Sequence, residues 1–244
     1  MNLLVLMAGS SNAFYQEGYK YPKSLLEING RTLIDRVIDS LSNLIENSDS
    51  ITFLIRKEDS EKYYLSSVIQ LLVKKALVIE IPNNTAGAAC SALLSIESIE
   101  EDKPLVIING DQIINNDCLE LSKNFLKSDF DAGCLTFKSL HPRWSYVKTD
   151  NKGYIIEAAE KKQISNNATA GFYFYRSAKL FYDGARKMIL KDAHIEGKFF
   201  ICPVFNELIL DNKNLGLIEI RPNSYHSLMT PDLYRLYKES LTNA

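Results

Sequence analysis

The sequence predicts an α/β fold, a Rossmann-like mixed but mainly parallel sheet flanked by helices, and three observations carry that expectation. Short apolar, β-branched runs alternate with segments of helical period at the spacing that strand–helix–strand units need. Several of these runs end in small or acidic residues, as strands do beside the ligand crevice of an open parallel sheet. After Asp111 the texture changes to strand-like segments that follow one another with few helices, which adds mixed or antiparallel strands.

Taken in order, residues 3–7, 51–55, 77–81 and 105–108 are apolar runs suited to central strands. Between them, residues 33–44 carry Leu33, Ile34, Val37, Ile38, Leu41 and Leu44 at helical spacing, residues 58–75 do so less regularly, and residues 86–99 open with small side chains. That makes three crossovers for four strands. Strands follow at 132–138, 145–149, 154–158 and 171–176, then helices at 177–190 and 200–210, a strand at 215–220 and a closing helix from Pro231. No Gly-, Pro- or Ser-rich linker, repeat or low-complexity tract interrupts the chain, so residues 1–244 are expected to form a single domain.

Composition sets the remaining bounds. A chain of 244 residues, 46% hydrophobic and 24% charged, can bury a sizeable core. A net charge of -2 gives no basic field, which argues against nucleic acid and for a small-molecule ligand. The run at 3–7 is too short for a membrane span or a signal core, and no later stretch reaches eighteen apolar residues, so no membrane association and a cytoplasmic location are expected. Cys90, Cys118, Cys134 and Cys202 lack CxxC spacing and are read as reduced and mostly buried.

The chemistry is expected at strand ends. Leu3-Leu4-Val5-Leu6-Met7 runs into Ala8-Gly9-Ser10-Ser11, where small side chains leave backbone amides open to a phosphate or a base. Lys23, fixed behind Pro22, adds a cation beside that opening. The strand at 105–108 stops at Asn109-Gly110-Asp111, which puts one carboxylate at the sheet's carboxyl edge, able to hold a hard cation or merely to cap the next turn. Asn83-Asn84-Thr85-Ala86-Gly87-Ala88-Ala89 leaves a strand through small residues, fitting either a ligand-facing loop or a close-packed helix start.

Taken jointly, Leu6-Met7-Ala8-Gly9, Tyr21-Pro22-Lys23, Thr85-Ala86-Gly87-Ala88-Ala89 and Asn109-Gly110-Asp111 resemble the sugar-nucleotide pyrophosphorylases, nucleotidyltransferases that join a nucleoside triphosphate to a phosphorylated acceptor. The likeness continues through residues 141–147, 159–161, 164–173 and 202–207, which are similar to a branch found in capsule and surface-polysaccharide biosynthesis. It implies a nucleotide-diphospho-sugar transferase type of fold, with residues 1–112 as the nucleotide-binding half and 113–244 as the acceptor-binding half. It further implies Lys23 as the cation bridging donor and acceptor phosphates and Asp111 as the Mg²⁺ (or Mn²⁺) ligand. Met7, Ala8, Gly9, Ser10, Ser11, Asn83, Gly87, Ala88 and Gly110 fall in the nucleotide site, and Glu160, Lys161, Gly171 and Tyr173 in the acceptor site. The acceptor implied is a phosphorylated sugar or smaller phosphorylated compound, and a homo-oligomer is compatible with the likeness; CTP or UTP is the donor expected, with the base choice left to backbone groups by the small side chains of Ala8, Gly9 and Ala88.

Two positions depart from the family pattern. Ala13 stands where an arginine usually grips the β- and γ-phosphates, which removes a rigid bidentate donor and leaves Lys20 or Arg31 to reach in. A late aspartate of the metal site is replaced in the stretch Tyr225-His226-Ser227-Leu228-Met229-Thr230-Pro231-Asp232, where His226 or Asp232 could substitute, Asp232 otherwise being a first-turn helix residue. Trp144 reads first as a core aromatic and second as a stacking platform, and Phe199-Phe200 as a wall of the acceptor pocket. Two competing readings are a nucleotide-sugar-dependent glycosyltransferase, disfavoured because Asp111-Gln112-Ile113 is no Asp-x-Asp motif, and a catalytically idle nucleotide-binding regulator, suggested by Ala13.

Overall fold

A computed structural model describes residues 1–82 and 84–242. The first half runs β1 (Asn2–Leu6), α1 (Asn12–Gln16), β2 (Glu27–Ile28), β3 (Arg31–Thr32), α2 (Leu33–Ser40), α3 (Ser42–Glu46), β4 (Ser50–Arg56), α4 (Lys57–Tyr63), α5 (Leu65–Leu72), β5 (Leu77–Ile81), α6 (Ala88–Leu93) and β6 (Leu105–Asn109). The second half adds β7 (Gln112–Ile114), α7 (Cys118–Lys127), β8 (Ala132–Lys138), β9 (Tyr146–Thr149), β10 (Ile155–Ala159), β11 (Asn167–Tyr175), α8 (Ala178–Leu190), α9 (Val204–Leu210), β12 (Leu215–Glu219), β13 (Tyr225–Ser227) and α10 (Pro231–Thr242).

One sheet carries both halves. Its order is β10-β9-β11-β6-β1-β4-β5, with β8 also paired to β11 and β12 to β8. The pairs β1–β4, β1–β6 and β4–β5 are parallel, whereas β6–β11 and the β11–β8, β11–β9 and β9–β10 pairs are antiparallel. Successive side chains of β1 enter opposite cores: Leu3 and Val5 pack on one face and Leu4 on the other. A strand buried on both faces explains why residues 3–6 are continuously apolar rather than alternating. The chain reverses its winding between β1 and β6, and at such a switch point the two strand ends open a crevice.

Four sequence expectations are modified. The segment 33–44 keeps its apolar face but breaks into α2 and α3 at Leu41, where Ser40 Oγ bonds back to Val37 O and frees the turn. The segment 58–75 breaks at Tyr64, which adopts a left-handed φ of 56°. The helix expected at 86–99 shortens to α6 and a 3-10 turn at Ile96–Ser98, and the one expected from 200 starts only at Val204, after Pro203. Helix α7 was not expected at all, although Asp117 caps it by accepting from Leu119 N and Glu120 N.

Helix α7 is tied to the sheet by one side chain. Arg176, just past β11, donates to the carbonyls of Phe125, Leu126, Ser128 and Phe130 at the helix's C-terminal end, where a cation also meets the favourable end of the helix dipole. Arg176→Met leaves those acceptors to find other partners and is expected to cost about 2 kcal/mol. Urea unfolding, with an unchanged slope and a lower midpoint, checks it.

Candidate active site

The crevice forms because β1 and β6 end together: Leu6 pairs with Asn109, and Gly110 N donates to Leu6 O at 2.8 Å. The loops leaving the two strands therefore rise side by side. A 3-10 turn at Lys23–Leu25 is set against them, started by Pro22 at φ -61° and anchored by Lys23 N donating to Ser11 Oγ at 3.1 Å. Lys23 is only 8% exposed, and its Nζ donates to Asp111 Oδ2 at 2.6 Å.

Two cavities open here, the smaller of them lined by this pair. One of about 420 Å³ is lined by Met7, Gly9, Ser10, Ser11, Lys23, Ala88, Gly110, Asp111, Glu160, Gly171 and Tyr173 among others. The second, about 660 Å³, is lined by Ala8, Gly9, Ser10, Arg56, Thr85, Gly87, Ala88 and Ser91 among others. They share Leu6, Gly9, Ser10, Ala88, Lys198 and Phe200, so they meet over the β1 loop and the start of α6. Asn83 lies outside the described residues.

Strand β11 forms the floor of the smaller cavity. Gly171 adopts φ 58° at an irregularity in the β11–β8 pairing, and a Cβ there would stand 2.2 Å from Gln112 Oε1 and 2.5 Å from Asn109 Nδ2. Gln112 Nε2 donates to Gly171 O at 3.0 Å, which joins this strand to the segment after Asp111. Tyr173 shares a 3.1 Å hydrogen bond with Thr169, and burial pushes its phenol well above the usual value. Glu160 accepts from Ser145 Oγ; burial raises its carboxyl above the usual 4.5, only partly opposed by Ser145 and Lys161.

Other expected site residues stand elsewhere. Lys161 lines neither cavity: its Nζ lies 5.5 Å from the Phe200 ring centroid and 3.9 Å from Glu196 Oε2, at the rim. On β13, Tyr225 and Ser227 face the smaller cavity, while His226 packs on Tyr237 with ring centroids 4.9 Å apart, its Nε2 3.2 Å from Asn115 Nδ2. Asp232 is a surface residue of α10 paired with Arg235, so the structure brings neither His226 nor Asp232 to Asp111. Nor do Lys20 and Arg31 line a cavity; Arg31 is engaged by Asp35 at 2.6 Å and Asp39 at 3.3 Å. Ala13 is exposed on α1 and lines neither.

Residues that were given no site role from the sequence, together with Trp144, complete the walls. Arg143 and Asp59 border the smaller cavity, Arg56 the larger and Lys198 both. Asp59 is buried, which raises its carboxyl, while Arg56 pulls the other way. Trp144 serves as both core and wall: it packs edge-on against Phe137 at 5.5 Å and against Tyr225 at 5.8 Å while bordering the cavity. Strand parity could have found Tyr225 and Ser227; nothing local in the sequence marks Lys198 or Asp59.

The donor chemistry for a metal is limited but suitable. Among the described residues no cluster of three or more His, Cys, Asp or Glu side chains forms a metal cage. Mg²⁺ commonly binds through one or two carboxylates, with phosphates and water filling the rest, and Asp111 in the wall of the smaller cavity fits that pattern.

Comparison with known proteins agrees with this geometry. Residues 3–207 match the model of the nucleotidyl transferase family. The fold is that of a nucleoside-diphosphate-sugar pyrophosphorylase from Vibrio cholerae, with a TM-score of 0.86 at 22% identity over 97% of this chain and 99% of the other. An inositol-1-phosphate CTP transferase from T. maritima follows with a TM-score of 0.74 at 16% identity, covering 97% of this chain and 93% of the other. A bifunctional protein GlmU from Methanococcus aeolicus is 25% identical over 181 residues, 72% of this chain but only 40% of that longer protein. With a family model spanning most of its length and a sheet whose crevice carries Lys23 against Asp111, the chain belongs to the nucleotidyl transferase family.

Proposed function

We propose that the protein transfers a nucleoside monophosphate from a triphosphate, CTP or UTP, to a phosphorylated sugar or smaller phosphorylated acceptor, releasing pyrophosphate, to supply an activated unit for a surface polysaccharide. One observation carries the reading: a nearly buried lysine, held by a carboxylate, lines one cavity beside Gly9, where that cavity meets a second. A triphosphate in the larger cavity and an acceptor in the smaller would bring their phosphates together over Gly9 and Lys23. In this assignment the first half of the single domain, residues 1–112, supplies the nucleotide site and residues 113–244 most of the acceptor site.

An acceptor phosphate oxygen attacks the α-phosphorus; a new P–O bond forms as the bond to the β-phosphate bridging oxygen breaks, and that electron pair leaves with pyrophosphate. The attacking oxygen is already anionic, so no general base is required. The need is for alignment and for cations where negative charge crowds. Lys23 supplies a fixed ammonium there, and Asp111 orients it through the 2.6 Å bond. Mg²⁺ or Mn²⁺ anchored at Asp111 would neutralise phosphate charge and hold its oxygens. Glu160, Thr169 and Tyr173 offer polar contacts to the acceptor body.

Incubation with each triphosphate, Mg²⁺ and a panel of phosphorylated acceptors should release pyrophosphate with one pair. Silence with every pair would end the transferase reading in favour of a nucleotide-binding regulator, and transfer of sugar from a nucleotide sugar would favour a glycosyltransferase. Lys23→Ala and Asp111→Ala should each lower turnover at least a hundredfold, the usual cost of losing one preorganised charge-stabilising group. Circular dichroism should show that both variants remain folded.

Glu160 provides a pH test of the acceptor wall. Its carboxyl is raised in the folded state, so the folded protein holds this proton more tightly than the unfolded chain does. The stabilisation attached to that proton is present below the ordinary value of 4.5 and is lost as pH rises through the folded value. Glu160→Gln, which keeps an acceptor for Ser145, should therefore melt higher than the wild type at pH 8, and the two should converge near pH 4. Melting curves across that range would show it, and an unchanged gap would contradict the assignment.

A further inference from the structure

Of the cations around the two cavities, most are already engaged. Lys23 is bound to Asp111, and Arg56 to Glu58 at 2.7 Å beside the buried Asp59. Arg143 is held by the imidazole of His141, with its guanidinium over the Trp144 ring. Lys198 differs: it borders both cavities, and its ammonium has no hydrogen bond or ion pair among the described residues.

Its backbone is nevertheless fixed. Ile195 and Lys198 exchange both hydrogen bonds of a two-residue hairpin, at 2.9 and 3.0 Å, around Glu196 at φ 51° and Gly197 at φ 73°, the positive pair that a tight hairpin turn requires. The next residue is clamped to the start of α6: Phe199 N donates to Ala86 O at 2.7 Å and Ala89 N to Phe199 O at 3.0 Å. That approach is so close that a Cβ on Gly87, which sits at φ 114°, would stand 2.4 Å from Phe199 O. A long, flexible side chain on a rigid mount at the seam of two cavities, without a counter-charge, is suited to bind an anion that lies across the seam.

Resting on the transfer reading above, we propose that Lys198 binds the β- and γ-phosphates of the triphosphate and then the pyrophosphate that leaves, supplying the cation that Ala13 does not. An ammonium is a point charge without the planar fork of arginine, so it neutralises phosphate while tolerating several orientations. Because the side chain is exposed, the contact should weaken with salt.

Titration calorimetry of the wild type, Lys198→Ala and Lys198→Arg with pyrophosphate, CTP, UTP and the matching monophosphates, in Mg²⁺, tests it. Lys198→Ala should weaken pyrophosphate and the bound triphosphate at least tenfold and leave the monophosphate unchanged, with Lys198→Arg recovering much of the loss. In turnover, the KM for triphosphate and the inhibition constant of pyrophosphate should rise together while the acceptor KM stays fixed. Undiminished pyrophosphate binding by Lys198→Ala, or a rise confined to the acceptor KM, overturns the assignment. A wild type that binds triphosphate and pyrophosphate but transfers nothing sinks the transfer reading and leaves Lys198 judged by the titration; one that binds neither sinks both.

Discussion

The structure depends on the parallel pairing of β1 with β6. Five consecutive partners, from Asn2 with Leu105 to Leu6 with Asn109, bring the strands to their ends at one level, and Gly110 N extends the ladder to Leu6 O. A one-residue slip would exchange the faces of Leu3, Leu4 and Val5, which pack into different cores, so burial on both sides holds the register. The register in turn brings the loops after Leu6 and after Asn109 to the same cavity, where Gly9 stands against Lys23 and Lys23 against Asp111. The Lys23–Asp111 pair and the Gln112–Gly171 bond are built outward from those two loops.

Around that axis, irregular backbone does the positioning and regular structure the support. The bend of β11 at Gly171 lets the Asn109 and Gln112 side chains approach the strand, and the clamp of Phe199 on Ala86 and Ala89 ties the loop before α9 to the opposite wall. Strain of this kind persists where surrounding hydrogen bonds over-determine it, and here the positive φ values of Gly87, Gly171 and Lys161 all fall at or beside the cavities.

How much of this was legible follows from the range of the interactions involved. Residues 77–81 match their strand because a β-branched apolar run between turn residues depends on local pattern alone. The helical stripe at 33–44 marked the buried face correctly but not the break at Leu41, which turns on a side chain bonding its own backbone. Lys23 and Asp111 could be named because each sits in a strand-end or proline context, yet their 2.6 Å contact spans 88 residues and belongs to the fold. Lys198 and Asp59 carry no local mark; only the crossing of distant segments makes them walls of the site.

The same distinction limits what the fold says about chemistry. Backbone hydrogen bonds and apolar packing reproduce this architecture at 22% identity and below, so the architecture tolerates wide change in its side chains. Ala13, where the resemblance implies an arginine, and Met229, in the stretch where it implies an aspartate, both leave the sheet intact: Ala13 is exposed and Met229 sits at the cavity rim, 43% exposed. Activity must then follow from which charges remain and where they are held. In the proposed transfer Lys23, fixed by a partner, would act by position, whereas Lys198, with a fixed backbone and an ammonium unpaired among the described residues, would act by reach. Both line the smaller cavity and Lys198 also borders the larger, so in the proposed transfer a phosphate chain that extends from one cavity into the other keeps a cation beside it along its length, which favours a triphosphate over a monophosphate before any base is read.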